Sequence, residues 1–188
     1  MKTVKPNELE RLSRLDPAVR FTLLTGPDEA TMEAVAAHLI RLAGKDAERL
    51  DLTGTQLSQD PSLLAAEAAS MSLFSSARVI RVELSGSGDD GLAAVEALLA
   101  AETAINPVIA SGASVTAKSK LVKLVEGSDH AVAAICYQPD RRALVGIAMA
   151  AGQEQGLRLA NAEAQLLVDL VSGDQELMRR EIEKIALY

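Results

Sequence analysis

The sequence is poor in aromatic residues and contains a single cysteine. Only 2% of the 188 residues are aromatic and Trp is absent, so we expect a core of Leu, Val, Ile and Ala. One cysteine excludes a disulfide framework and a cysteine-rich zinc site, and it favours a reducing compartment. No apolar run approaches the roughly 18 residues of a membrane span, and the N-terminus is too polar for a secretory signal. We therefore expect a cytoplasmic protein without a membrane partner.

The chain also lacks a surplus of basic residues. It has 19 Lys and Arg against 26 Asp and Glu, giving a net charge of −7. Free-standing nucleic-acid-binding proteins are usually basic, because phosphate contacts supply much of their affinity. The local basic groups fit solvated helix faces better than phosphate sites, although a DNA contact within a larger assembly stays open: Lys118, Lys120, Lys123, Arg141, Arg142, Arg179 and Arg180.

Short apolar strands alternate with helical stretches along most of the chain. Five strands are predicted, in the segments RFTLLTG, AERLDL, ARVIRVEL, NPVIASG and HAVAAICY. This alternation predicts an α/β fold with a parallel sheet flanked by helices. Beyond residue 139 the pattern is helical only, which predicts domains at 1–139 and 140–188. Cys136, in the last strand segment, is expected to be buried rather than nucleophilic.

Helix boundaries are marked by a few capping residues. Asp28 and Asp174 are predicted to cap the helices that follow them. A polar turn precedes another helix, which we expect to start with Asp60 as its cap and Pro61 at its first position. The last amphipathic pattern runs to Tyr188 without a stop signal, and we interpret the chain as truncated.

The turn after the first predicted strand has the position of a phosphate-binding loop. Such a loop reads G-x-x-x-x-G-K-[ST], in which glycines wrap the phosphates, Lys neutralises charge and the hydroxyl holds magnesium. It would start at Gly26, and its last three signature residues are replaced by Thr31, Met32 and Glu33. Glu33 would repel phosphate, and the third strand offers only Glu83 to order magnesium. We expect no productive ATP binding and no cofactor.

Other catalytic interpretations are weak. His38 is expected on a helix surface, and Cys or carboxylate ligands at metal-binding spacing accompany neither histidine. His130 next to Asp129 could form a general-base pair, but a polar turn leading into a strand is the interpretation we favour. No metal and no intrinsic catalytic site are expected.

The segment SMSLFSSARVIRVEL, residues 70–84, places a bulky apolar pair among serines. Leu73 and Phe74 fall where a helix is expected to turn into a strand. Two interpretations are open: the pair covers the local core, or it enters an apolar pocket of a partner. Each anchor would then contribute roughly 1.5–3 kcal/mol when fully buried.

Three stretches carry a resemblance to a known family. They are FTLLTGPDEATMEAVAAHL, DLTGTQLSQDPSLLAAEAASMSLFSSARVIRV and SGDQELMRREIEKIALY. On these stretches the chain resembles the N-terminal two domains of bacterial DNA polymerase III delta subunits. These are clamp-loader proteins with a degenerate AAA+-like (P-loop-type) α/β domain followed by a small helical, lid-like domain.

The resemblance implies a subunit that binds the DNA sliding clamp and helps to open it during DNA replication, without ATP hydrolysis of its own. The family is classed with DNA-directed DNA polymerase as a holoenzyme subunit. The implied partners are the clamp (beta subunit), the gamma/tau and delta-prime subunits in a hetero-pentamer, and DNA through the assembled complex. A helical collar domain would follow Tyr188.

The resemblance also assigns the binding element. Clamp-binding peptides resemble Q-L-[SD]-L-F, so the implied clamp-binding residues are Met71, Ser72, Leu73 and Phe74, with Ser70 in the place of Gln. Two alternatives remain: a structural AAA+-like loader subunit, akin to delta-prime, that does not contact the clamp, and an atypical P-loop NTPase or kinase.

Overall fold

The computed structural model of the protein describes residues 3–71, 77–86 and 89–187. The chain divides into two compact units, Met1–Tyr137 and Gln138–Tyr188. The first unit combines strands and helices, and the second is helical. Within the described residues, every helix is too short or too polar to span a bilayer.

The described part of the first unit contains one parallel sheet. Its strands in chain order are β1 (Thr3–Val4), β2 (Phe21–Thr25), β3 (Glu48–Thr53), β4 (Arg78–Glu83), β5 (Val108–Gly112) and β6 (Ala131–Ile135). Their order across the sheet is β1-β6-β2-β5-β4-β3, and every neighbouring pair is parallel.

The strand β1 is an addition to the five strands that the sequence predicts. It pairs with β6 at the edge of the sheet, with Thr3 opposite Ala133 and Val4 opposite Ala134. Two residues are too few to show the alternation by which a strand is recognised in a sequence. The pairing partner, more than a hundred residues away in the chain, makes this segment a strand.

Six helices belong to the first unit as described. They are α1 (Pro6–Glu10), α2 (Glu29–Ala43), α3 (Gly54–Gln59), α4 (Leu63–Ala69), α5 (Leu92–Ala100) and α6 (Lys120–Gly127). A short 3-10 turn, Asp89–Gly91, precedes α5.

The side chains of β2 alternate between two cores. Leu23 lies in a buried cluster with Leu64 of α4 and Leu98 of α5, whereas Leu24 lies in a second cluster with Val35 and Leu39 of α2. Successive residues of a strand point to opposite faces of a sheet, so helices cover both faces. The predicted α/β fold with a parallel sheet flanked by helices is confirmed.

The start of α4 differs from the prediction. The residues predicted as a polar turn form a helix, α3, which is opened by Thr53. The Thr53 hydroxyl accepts from the Gln56 backbone N–H over 3.4 Å. Asp60 ends that helix. Its carboxylate accepts from the Ser62 N–H over 3.0 Å and from the Ser62 hydroxyl over 2.6 Å, and these hydrogen bonds lower the pKa of Asp60. The next helix therefore begins at Leu63, and the expected start at Pro61 is wrong.

The second unit consists of α7 (Arg141–Glu154), α8 (Asn161–Leu170) and α9 (Gln175–Ile185). Asp174 caps α9 as predicted, because its carboxylate accepts from the Leu177 N–H over 2.9 Å. The core of this unit includes Val145 of α7, Leu167 of α8 and Met178 of α9. Met178 is completely buried.

Replacing Met178 by Ala is expected to lower the free energy of unfolding of the helical unit by about 2–5 kcal/mol, because it leaves a cavity among the three helices. The control is Leu166→Ala on α8, an exposed position, where we expect a change within about 0.5 kcal/mol. Chemical denaturation followed by circular dichroism measures both. Equal effects of the two substitutions would contradict the packing described above.

Candidate functional site

The turn between β2 and α2 stands where a phosphate-binding loop would be. Gly26 has φ of +117°, and a Cβ placed on it would lie 2.3 Å from the carbonyl oxygen of Cys136. The Asp28 N–H donates to the same carbonyl over 3.1 Å. The turn is therefore pressed against the backbone that follows β6, and both the positive φ and the close approach require glycine.

Asp28 caps α2, as the sequence predicts. Its carboxylate accepts from the Thr31 N–H over 3.2 Å and from the Thr31 hydroxyl over 2.6 Å, and the residue is buried. A helix N-terminus attracts anions through its free N–H groups and its dipole. Here a carboxylate of the chain itself takes that position, and its charge would repel a phosphate.

Glu33 is held by an arginine from another element of the fold. Arg81 of β4 donates from Nη1 to Glu33 Oε1 over 3.1 Å and from Nη2 to Oε2 over 2.5 Å. The two residues are 48 positions apart in the chain, so no local pattern indicates the pair. The position that would hold magnesium in a phosphate-binding loop therefore forms a two-point ion pair with the neighbouring strand.

An open groove of about 410 Å³ lies at this carboxyl edge of the sheet. Its polar lining is mostly acidic or hydroxylic: Glu29, Glu33, Arg81, Glu83, Ser85, Ser111 and Ser114. Among the described residues, no group of three His, Cys, Asp or Glu side chains is placed to hold a metal ion. The charge of the groove is unfavourable for a nucleotide phosphate.

The cysteine is buried, and both histidine rings hydrogen-bond backbone carbonyls. Burial, with smaller contributions from the charges of Asp28 and Glu10, raises the pKa of Cys136 to about 12, so its thiol stays protonated at neutral pH. The ring of His38 hydrogen-bonds the Leu12 carbonyl at 3.0 Å. The ring of His130 hydrogen-bonds the Ala18 carbonyl at 3.1 Å. His38 thus ties α2, and His130 ties the chain just before β6, to neighbouring loops.

The predicted clamp-binding residues fall between the end of α4 and the start of β4. Met71 is 80% exposed. Ser72, Leu73 and Phe74 lie outside the described residues, so their role stays a prediction.

Two polar residues beside this element were not singled out from the sequence. Arg78, the first residue of β4, and Asn106, just before β5, both donate hydrogen bonds to Ser70 at the end of α4. The sequence gives one weak signal: Asn106 is a polar residue directly before Pro107 and an apolar strand segment. In the structure Asn106 is buried. Its partners, however, are far away in the chain and could not be named from the sequence.

The fold has a counterpart among solved structures. The DNA clamp loader delta protein of Bacillus subtilis superimposes with a TM-score of 0.70 over 97% of this chain. The chain has the fold of this clamp-loader protein. The predicted fold, an α/β unit followed by helices, is thereby confirmed. The two sequences are only 15% identical, and the match covers 56% of the Bacillus protein, so the chain spans little more than half of its length.

A RuvB variant from Thermotoga maritima is more distant, with a TM-score of 0.47, 17% sequence identity and coverage of 88% of this chain and 54% of that chain. No protein-family model and no curated protein matches the sequence. The comparisons therefore establish the fold and leave the activity to be argued from the residues.

Replacing Gly26 by Ala is expected to lower the free energy of unfolding by about 2 kcal/mol or more, because a Cβ there meets the Cys136 carbonyl and the φ is unfavourable. The matched control is Gly146→Ala inside α7, where no atom lies within 4 Å of the added Cβ. There the same change should stabilise by about 0.5–1 kcal/mol. Thermal and urea unfolding measure both, and a stable Gly26→Ala protein would contradict the close approach.

Proposed function

We propose that this protein is a clamp-loader delta subunit, which binds the ring-shaped DNA sliding clamp and helps to open it during DNA replication. The observation that carries the proposal is the similarity of fold to the Bacillus subtilis clamp loader delta protein over 97% of the chain. The sequence SMSLF between α4 and β4 supports it, because it resembles a clamp-binding peptide.

The proposed contact is an apolar one. Leu73 and Phe74 would enter a pocket on the clamp, and each would contribute roughly 1.5–3 kcal/mol on full burial. Two neighbouring anchors of this size can dominate a small interface. Met71 would fill a shallow subsite, because its unbranched side chain adapts to irregular surfaces. Its exposure of 80% means that it is accessible without rearrangement of the described residues.

Clamp opening follows from binding only under one condition. A ligand shifts a conformational equilibrium by the difference between its affinities for the two states. The delta subunit must therefore bind the open ring more tightly than the closed ring. Contacts that fit only the open ring would supply this difference.

Other subunits would bind and hydrolyse ATP and so supply the energy. Asp28 at the α2 N-terminus and the Glu33–Arg81 ion pair leave no anion site at the place of the phosphate loop. We accordingly propose that this subunit works in a hetero-pentamer with gamma/tau and delta-prime subunits, in the cytoplasm, and that it meets DNA through the assembled complex.

The double substitution Leu73→Ala with Phe74→Ala is expected to weaken binding to the sliding clamp about a hundredfold or more, because both apolar anchors are lost. Surface plasmon resonance with the immobilised clamp of the same organism measures the affinity. Thermal unfolding should change little, since the proposed role of both residues lies in the partner's pocket.

A second double substitution provides the matched control. Leu166→Ala with Leu170→Ala removes two leucines of α8 that are 61% and 72% exposed, and clamp affinity should stay unchanged. If Leu73→Ala with Phe74→Ala lowers stability without a selective loss of binding, the pair belongs to the core. If the unsubstituted protein does not bind the clamp, a structural loader subunit becomes the better description.

Titration with magnesium ATP tests the remaining alternative, an atypical NTPase. Isothermal calorimetry up to millimolar nucleotide is expected to show no saturable heat, because Asp28 and the paired Glu33 place negative charge where phosphate would bind. A saturable signal would overturn this part of the proposal.

A further inference from the structure

Arg78 joins the end of α4 to the sheet. Its side chain is only 14% exposed. Nη1 donates to the Ser70 hydroxyl over 2.7 Å and to the Glu67 carboxylate over 2.7 Å. Nε and Nη2 donate to the carboxylate of Glu48 on β3 over 3.1 to 3.2 Å. One guanidinium therefore connects the last turn of α4 with two neighbouring strands.

Asn106 holds the same helix end from another direction. It is 6% exposed, and its Nδ2 donates to the backbone carbonyls of Glu67 over 2.9 Å and Ser70 over 2.7 Å. Its backbone N–H donates to the Ala68 carbonyl over 3.0 Å. The last carbonyls of a helix have no partner within the helix. Asn106 donates to three carbonyls at this helix end, those of Glu67, Ala68 and Ser70.

The chain after residue 76 is held by the sheet. The carbonyl of Ala77, just before β4, accepts from the Glu48 N–H over 2.9 Å. Glu48 is also the residue whose carboxylate receives Arg78. The chain is thus tied on both sides of residues 71–76, at Ser70 before them and at Ala77 after them.

We propose that Arg78 and Asn106 form a clasp on Ser70 that positions the clamp-binding element beginning at Met71. The inference rests on the proposed function. Binding costs free energy for each side chain and each loop that must be ordered, and holding the ends of a binding segment lowers that cost. In this role neither residue touches the clamp; both act through Ser70.

The chemistry of the clasp is specific to these two residue types. A guanidinium offers five N–H donors in a planar fork, whereas lysine offers one compact charge. Arg78 uses this fork to reach Ser70, Glu67 and Glu48 at once. The Asn106 amide donates both of its hydrogens to carbonyls, which an aspartate of nearly the same shape could only repel.

Strand β4 offers a matched control for a purely structural role. Arg81, three residues after Arg78, also forms a carboxylate pair, with Glu33, and its side chain is 21% exposed. Arg78 pairs with two carboxylates and Arg81 with one, and their side chains are 14% and 21% exposed. Arg81 faces the opposite side of the sheet from Arg78, because three positions separate them along the strand, and its partner Glu33 belongs to α2.

The experiment measures clamp affinity and thermal unfolding on the full chain, at a temperature where all variants are folded. Arg78→Ala is expected to bind the clamp about 10- to 30-fold more weakly than the unsubstituted protein, through loss of preorganisation. Arg78→Lys should recover part of this loss. Arg81→Ala should lower the melting temperature, because it too removes a carboxylate pair, but it should leave clamp affinity unchanged.

Asn106→Asp tests the second residue of the clasp. It also keeps the inference testable if Arg78→Ala does not fold. It should weaken clamp binding about tenfold, because two carbonyls would then face a carboxylate. Combined with Leu73→Ala and Phe74→Ala, neither clasp substitution should reduce affinity further, since the element that it positions has lost its anchors.

The outcomes separate this inference from the proposed function. If the unsubstituted protein binds the clamp and the clasp variants bind equally well, or if Arg81→Ala weakens binding as much as Arg78→Ala, the clasp has no positioning role. If the unsubstituted protein does not bind the clamp, the proposed function fails, and the inference fails with it.

Discussion

The burial of strand β2 constrains the rest of the first unit. It is hydrogen-bonded to β5 on one side and β6 on the other, and all five of its residues, Phe21–Thr25, are buried. A strand in this position needs an apolar layer on each face, which α2 supplies on one side and α4 to α6 supply on the other. Even its polar Thr25 is satisfied, by donating its hydroxyl to the Gly112 carbonyl over 3.0 Å. The other strands are positioned by pairing with β2 directly or through a neighbouring strand.

The two edges of the sheet have different chemistry. Parallel α/β sheets usually bind ligands at the carboxyl ends of their strands. At that edge this protein has the capped turn at Asp28 and the Glu33–Arg81 pair, so its own side chains occupy the place of a phosphate and a metal. At the opposite, amino edge, Arg78 and Asn106 hold Ser70, directly before Met71.

The similarity to a clamp-loader protein bears on the fold, and the side chains bear on the function. A TM-score of 0.70 at 15% identity establishes how the chain is folded, but folds host many functions. Clamp binding is proposed from that similarity and from the sequence SMSLF, of which Met71 is exposed. The anchors themselves, Leu73 and Phe74, are assigned from the sequence.

The sequence by itself determined the features that depend on neighbouring residues: the alternation of strands and helices, the caps at Asp28 and Asp174, the missing phosphate loop and the apolar pair among serines. These follow from hydrogen bonds and periodicities that span a few positions. Only the tertiary structure decided the two-residue strand β1, the order of the strands, and the partners of Arg78, Arg81 and Asn106. Apart from the contacts of Arg78 with Ser70 and Glu67, which are 8 and 11 positions away, those contacts join residues at least 30 positions apart. Many such pairings are compatible with one sequence pattern, and close packing of the whole chain selects among them.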